Sequence, residues 1–151
     1  SRELALAVVR GSYVQEVCGR LDTAGVVTGA VISAILDREF HSILVSRRDQ
    51  SEVARETPAI FGSAPVAVKG KRVLIVDETC DSGATMRLAV SAIVDAGARE
   101  VRTAVAFKTG AYEPDFHALA TESTIVLPWD REVLFQGELV PNPLYSETIG
   151  G

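Results

Sequence analysis

Two cysteines, one methionine and one tryptophan are all that the 151 residues hold of those types, and no block of Lys or Arg occurs anywhere. Two cysteines are too few for the disulfide framework that staples small secreted domains. Cys18 and Cys80 also form no ligand pattern with the two histidines, His41 and His117, so a reducing cytoplasm is the expected setting. The net charge of −5, with no basic face, speaks against a nucleic-acid partner. No apolar run approaches the ~20 residues of a membrane span, and the start at Ser1 lacks the charged-then-apolar layout of a signal peptide. What is present is ordinary for a globular chain: 47% hydrophobic and 23% charged residues. The length suits one compact domain over residues 1–151, able to bury a core without disulfides or metals.

Periodicity supplies the elements. Glu3 to Arg20 reads as helical, with Leu4, Ala7, Val8, Val14 and Val17 as a stripe broken at Gly11. A buried helix is expected over Ala30 to Leu36, starting from a turn at Thr28-Gly29, and a short strand over Ser42 to Val45. From Ser46 to Ala64 the pattern is lost, and a loop this long in a small domain is usually functional. Val66 to Val68 reads as a short strand and Gly70-Lys71 as a turn. Val73-Leu74-Ile75-Val76 is apolar on both faces, as in the centre of a parallel sheet. A helix follows from Ala84, with Leu88, Ala89, Ala92, Ile93 and Ala96 on one face and Gly97 as its cap. Further strands are expected over Val101 to Phe107 and Thr124 to Leu127. Strands alternating with helices imply an α/β domain, a mainly parallel twisted sheet flanked by helices.

The chemistry concentrates between Val73 and Thr85. A buried strand ends in two carboxylates, Asp77 and Glu78; a third, Asp81, follows; then Ser82, Gly83 and Ala84 lead into a helix. Ligands bind at the carboxyl ends of strands in open α/β sheets. Small residues let backbone N–H groups approach a ligand, and a helix N-terminus adds partial positive charge, so the turn suits a phosphate. The Ser82 and Thr85 hydroxyls donate to phosphate oxygens, whereas ionised Asp77 and Glu78 only accept and suit a sugar diol. Carboxylates beside phosphates call for a cation between them, which points to Mg²⁺. The plainer reading is that Asp81 or Ser82 caps the helix and the other acids are solvated. Three acids in five positions at the end of the most buried strand weigh against it.

Alternatives can be checked directly. No Gly-x-x-x-x-Gly-Lys-Ser/Thr loop and no Gly-x-Gly-x-x-Gly turn is present, so neither a Walker A nor a Rossmann site is supported. A receiver domain would place the Val-Leu-Ile-Val-Asp-Glu strand near its N-terminus and a phosphoacceptor Asp after a later strand. Here that strand lies mid-chain, and the later runs Val101 to Phe107 and Thr124 to Leu127 end without an Asp.

Val73 to Thr85 resembles the phosphoribosyl-pyrophosphate signature of type I phosphoribosyltransferases: four apolar residues, two acids, three positions ending in Asp81, a hydroxyl residue, Gly, any residue and Thr. The resemblance runs from about Val26 to Asp130 and is closest to xanthine–guanine and hypoxanthine-type purine enzymes. It implies a type I phosphoribosyltransferase-like fold with a small mobile hood over about 46–64, from which Arg47 or Arg48 would reach pyrophosphate. By the same resemblance, phosphoribosyl pyrophosphate would be bound by Asp77, Glu78, Asp81, Ser82, Gly83, Ala84 and Thr85, with Thr28 and Gly29 at the pyrophosphate loop. Asp81 would be the general base near N7 of a 6-oxopurine, and Lys108, in Ala106-Phe107-Lys108-Thr109-Gly110, would donate to O6. Backbone groups near Ile125 would read the base edge, Trp129 is kept as a core anchor, and Mg²⁺ would be held by Asp77, Glu78 and Asp130. Phosphoribosyl pyrophosphate and a nucleobase would be the partners, and a homodimer is the family's habit.

Three departures keep other substrates in view. Thr28 and Ala30 stand where the family has a basic residue and a glycine, and Thr124 where an aromatic covers the base. A different base, or a non-catalytic nucleotide-binding regulator, therefore stays open. Glu132 to Gly137 is similar to the core of a picornaviral 3C protease site, with Glu138 in place of the usual proline, and is given no function.

Overall fold

The computed structural model describes residues 2–11, 17–21, 26–48, 54–61 and 68–149. The chain falls into two compact units, Ser1–Thr121 and Glu122–Gly151.

Among the described residues, the first unit is built on a six-stranded sheet. In chain order its elements are α1 (Arg2–Arg10), β1 (Val17–Leu21), α2 (Val26–Leu36), β2 (Glu39–Arg48), β3 (Ala54–Phe61), β4 (Arg72–Cys80), α3 (Ala84–Asp95), β5 (Glu100–Lys108) and β6 (Phe116–Ala120). The strand order is β3-β2-β1-β4-β5-β6. All neighbouring pairs are parallel except β2–β3. The mainly parallel sheet expected from the alternating pattern is therefore present.

Alternation along β4 builds a core on each face of the sheet, because successive strand side chains point to opposite sides. Val73 and Ile75 pack with Val68, Met86, Ala89, Ile93 and Val105, the α3 side. Leu74 and Val76 pack with Leu4, Ala5, Val8, Ile32 and Ala104, the α1 and α2 side. Val73 to Val76 are all fully buried, which explains why this stretch reads as an unbroken apolar run.

Several expectations need correcting. The helix read over Glu3 to Arg20 stops at Arg10, and Val17–Leu21 is a strand pairing with both β2 and β4. Short apolar runs carry no period long enough to separate the two states, and sheet pairing decides. The helix expected from Gly29 begins at Val26, so Thr28 and Gly29 lie inside its first turns rather than in a turn before it. Burial of Ile32 against the sheet outweighs the weak propensity of the β-branched residues at its start.

The stretch over 46–64 is not structureless. β2 continues to Arg48, and β3 pairs with it antiparallel, with an irregularity between Ser46 and Arg48. Pro58 lies on this edge strand, within the irregular stretch between the paired positions Ala54 and Ala59, where a residue without an N–H is tolerated. Residues 49–53 and 62–64 of the expected hood, the side chains of Arg47 and Arg48, the Cys18 side chain, and Val66 lie outside what is described. Val68 belongs to a turn with Gly70.

The second unit holds a 3₁₀ turn at Pro128–Asp130, a hairpin of β7 (Glu132–Phe135) and β8 (Glu138–Pro141), a second 3₁₀ turn at Pro143–Tyr145, and the short α4 (Ser146–Ile149). The segment Glu132 to Gly137 is thus one arm and the turn of a hairpin. Thr124 to Leu127, expected as a strand, has no regular structure; Pro128 follows it directly and opens the 3₁₀ turn. The strand that follows β5 is β6 instead. Trp129, kept as a core anchor, is 46% exposed.

Candidate active site

The strand order reverses between β1 and β4: the crossover through α2 leads outward from β1 to β2, and the crossover through α3 leads outward from β4 to β5. α2 and α3 cover opposite faces, so a crevice opens at the carboxyl ends of the central strands, where ligands bind in such sheets. A pocket of about 310 Å³ lies there, lined by Asp77, Thr79, Cys80, Asp81, Ser82, Gly83, Ala84, Thr85 and Met86.

The two adjacent acids part company. Asp77 is half-buried, lines the pocket, and accepts the Glu78 backbone N–H at 2.8 Å through Oδ1. Glu78 is 2% exposed and is not among the lining residues; its Oε1 accepts the Thr28 hydroxyl of α2 at 3.3 Å. The sequence places both acids at the strand end, and the pleat directs them to different neighbours.

The turn after β4 enters α3 through Gly83, which has φ 77° and makes no side-chain capping bond. A left-handed conformation at this position favours glycine. A Cβ here would also overlap the ring of Tyr112. Ser82 and Asp81 are exposed, and Ala84 and Thr85 are partly buried. The Ser82 hydroxyl accepts the Ala84 N–H at 3.4 Å, a long contact. Arg87, one turn into α3, donates to the Ser82 carbonyl at 2.8 Å and lies 5.0 Å from the centre of the Tyr112 ring.

A second loop backs the turn. β5 runs in register beside β4, with Cys80 opposite Lys108, and so delivers residues 109–113 to the site. Thr109 donates to the Cys80 carbonyl through its N–H at 2.9 Å and its hydroxyl at 3.3 Å, and the Tyr112 N–H donates to the Asp81 carbonyl at 3.3 Å. Gly110 sits so close to Asp81 that a Cβ would overlap the Asp81 carboxylate and carbonyl. The Lys108 ammonium is turned onto its own loop, donating to the Gly110 carbonyl at 2.9 Å and pairing with Glu113 at 3.1 Å.

Burial pushes the Cys80 thiol up to about 11 from an ordinary 9.0. The Asp77 carboxylate and, less strongly, Asp81 act the same way, against Arg87 and Lys108. Cys80 is therefore a neutral packing thiol at neutral pH.

Of the residues expected from sequence, the structure brings together Asp77, Asp81, Ser82, Gly83, Ala84 and Thr85. Lys108 is on the adjoining strand, and Thr28 reaches the site region only through Glu78. Gly29 is buried within α2. Ile125 and Asp130 belong to the second unit. Sequence reasoning missed Thr79 and Met86 as lining residues, and Gly110, Arg87 and Tyr112 as supports of the turn. Helical spacing could have found Arg87, four residues after Gly83. Nothing in the linear pattern marks Tyr112.

Comparison with known proteins adds to this geometry. The phosphoribosyl transferase domain family matches residues 21–136. A purine phosphoribosyltransferase from Pyrococcus horikoshii Ot3 is similar in structure, with 25% identity, 88% of each chain covered and a TM-score of 0.73. A hypothetical protein from Neisseria gonorrhoeae with bound ppGpp is similar at 20% identity, over 85% of this chain and 83% of that one, with a TM-score of 0.68. A ribose-phosphate pyrophosphokinase from Maricaulis maris (strain MCS10) is 38% identical over 80 residues. Those residues are 53% of this chain and 24% of the relative, so the chain spans about a quarter of that protein's length.

Proposed function

The chain belongs to the phosphoribosyl transferase domain family, and from that premise we propose that it transfers the 5-phosphoribosyl group of phosphoribosyl pyrophosphate to a 6-oxopurine base, releasing pyrophosphate. The observation that carries the reading is the turn from Asp81 to Thr85, which lines a pocket with Asp77 at the switch point of the sheet and opens directly into α3.

On this reading the N-terminus of α3 and the Ser82 and Thr85 hydroxyls receive the 5′-phosphate, since unpaired N–H groups and the helix dipole favour an anion there. Asp77 accepts from the ribose hydroxyls. The base nitrogen attacks the sugar carbon as pyrophosphate leaves, and Asp81 takes the proton from the base. Lys108, a donor only, suits a carbonyl at C6 and not an amino group. To reach it, the ammonium gives up Glu113.

The pocket fits Mg²⁺. This ion takes one or two protein carboxylates and fills its remaining positions with water and substrate oxygens. Asp77 supplies a carboxylate on the pocket wall, which leaves the ion's other positions to water and substrate oxygens. Asp77 would hold the ion; Glu78, which accepts the Thr28 hydroxyl and is not on the pocket wall, would not touch it directly. Bound there, Mg²⁺ supplies charge neutralisation for pyrophosphate.

Pyrophosphate release measured with phosphoribosyl pyrophosphate, MgCl₂ and a panel of bases tests the proposal. Release with guanine, hypoxanthine or xanthine, and not with adenine or orotate, is expected. A second reading, a nucleotide-binding regulator, is favoured by Thr28 and Ala30, which stand where the family has a basic residue and a glycine for pyrophosphate. Tight nucleotide binding with no release for any base would establish it instead.

A further inference from the structure

Four consecutive carbonyls in the phosphate turn are tied back by named donors. The Cys80 carbonyl accepts from Thr109, the Asp81 carbonyl from the Tyr112 N–H at 3.3 Å, the Ser82 carbonyl from the Arg87 guanidinium at 2.8 Å, and the Gly83 carbonyl from the Arg87 N–H at 2.8 Å. The same two residues, Tyr112 and Arg87, meet each other through a ring–guanidinium contact at 5.0 Å, a cation–π geometry. The Tyr112 ring also fills the space that a side chain at residue 83 would need. The helix itself makes no side-chain cap at Gly83. The turn is thus held from behind by side chains of α3 and of the loop after β5, while its residues 81–85 line the pocket.

We propose that Tyr112 and Arg87 are positioning residues: together they brace Gly83 in its left-handed conformation and thereby set the affinity of the turn for the 5-phosphate of a ribose phosphate donor. The proposal deepens the phosphoribosyl-transfer reading and rests on it for the identity of the ligand. Its physical basis is preorganisation. A glycine explores more backbone conformations than any other residue, so a turn built on Gly83 loses entropy when it closes on an anion unless something already restrains it. The aromatic face and the guanidinium supply that restraint before the ligand arrives. The ring does the work, since it is the ring that covers Gly83 and stacks on Arg87, so phenylalanine can replace tyrosine. Arg87 combines a planar donor with a stacking surface, and lysine cannot match both.

Two measurements on the full chain test this. The first is hydrogen exchange, without ligand, at the amides of 87, 109 and 112, whose acceptors are carbonyls of the turn, in wild type, Tyr112→Phe, Tyr112→Ala and Arg87→Met. The second is calorimetric titration of the same proteins with phosphoribosyl pyrophosphate and MgCl₂, with KM for donor and for base determined separately. Exchange should be faster in Tyr112→Ala and Arg87→Met and unchanged in Tyr112→Phe. Donor affinity should fall about tenfold in the first two and stay within about twofold in the third, with KM for the base unmoved. Unchanged exchange and donor affinity in Tyr112→Ala overturns the brace. Equal losses in Tyr112→Phe and Tyr112→Ala also overturn it, because the hydroxyl would then be the active group. A loss spread equally over donor and base would show general destabilisation and overturns it as well. If wild type binds no donor, the phosphoribosyl-transfer reading fails and the affinity part with it, while the exchange data judge the brace independently.

Discussion

The hydroxyl of Thr28 on α2 donates to the carboxylate of Glu78 on β4 at 3.3 Å, with the two residues 4% and 2% exposed. This bond fastens the helix that covers one face of the sheet to the strand that ends in the pocket. Thr28→Val keeps the shape and removes the donor. A hydrogen bond is worth about 0.5–1.5 kcal/mol between neutral groups and about 1.5–3 kcal/mol to an ionised one, and the long distance favours the lower end of either range. Urea denaturation should show a loss of about 1–2 kcal/mol. No change in midpoint would mean that Glu78 draws its support elsewhere.

Asp81 carries the proton transfer in the proposed reaction. Asp81→Asn preserves the size that Gly110 leaves room for and removes the basicity. Turnover should fall by roughly 10²–10⁴ while the donor still binds. Turnover unchanged at neutral pH would reduce Asp81 to a turn residue.

The raised Cys80 thiol gives a signed pH dependence. Its folded value, about 11, lies above the ordinary 9.0, so the folded state holds this proton more tightly than the unfolded chain. The resulting stability is fully present below pH 9 and is lost as pH rises toward 11. Alkylation of Cys80 should be slow at pH 8 and accelerate toward pH 11. Asp77→Asn, which removes the second-ranked cause, should shift that profile to lower pH. Fast alkylation at pH 7 would contradict the buried, carboxylate-flanked environment. Phosphoribosyl pyrophosphate with MgCl₂ should slow the reaction of Cys80 more than that of Cys18.

Lys108 and Glu113 give a paired test of the base pocket. Lys108→Met should cost about 1.5–3 kcal/mol of transition-state binding for the oxopurine and leave donor binding unchanged. Glu113 is 76% exposed, and its pairing with Lys108 is worth only about 0.2–1 kcal/mol. Glu113→Ala should therefore lower KM for the base modestly, by releasing the ammonium. A rise in KM would mean that the pair positions the loop and that Lys108 does not read the base.

How far the sequence reached follows from what each residue depends on. β4 and α3 were legible because Val73 to Val76 is an unbroken apolar run and Leu88, Ala89, Ile93 and Ala96 keep helical spacing. The pocket was legible with them, since Asp77 and Asp81 to Thr85 are contiguous in the chain. Val17 misled because its spacing from Val14 suits a helix, whereas its fate was set by pairing between β2 and β4. Ile125 to Leu127 misled because an apolar triplet reads as a strand in any context. The partition of Asp77 and Glu78 needed the pleat and the helix opposite each face. Tyr112 could not be found at all, since only the parallel register of β4 and β5 brings it to Gly83.

The most direct test of the account is a competition. The protein is given phosphoribosyl pyrophosphate, MgCl₂ and equimolar guanine, hypoxanthine, xanthine and adenine, and the nucleoside monophosphates formed are identified by mass. On the proposed reading Lys108 donates to a carbonyl at C6; the C6 amino group of adenine is itself a donor and offers it no acceptor, so adenine should be rejected. The account predicts 6-oxopurine nucleotides without the adenine nucleotide. Predominant adenine nucleotide, or no nucleotide from any base, would contradict it.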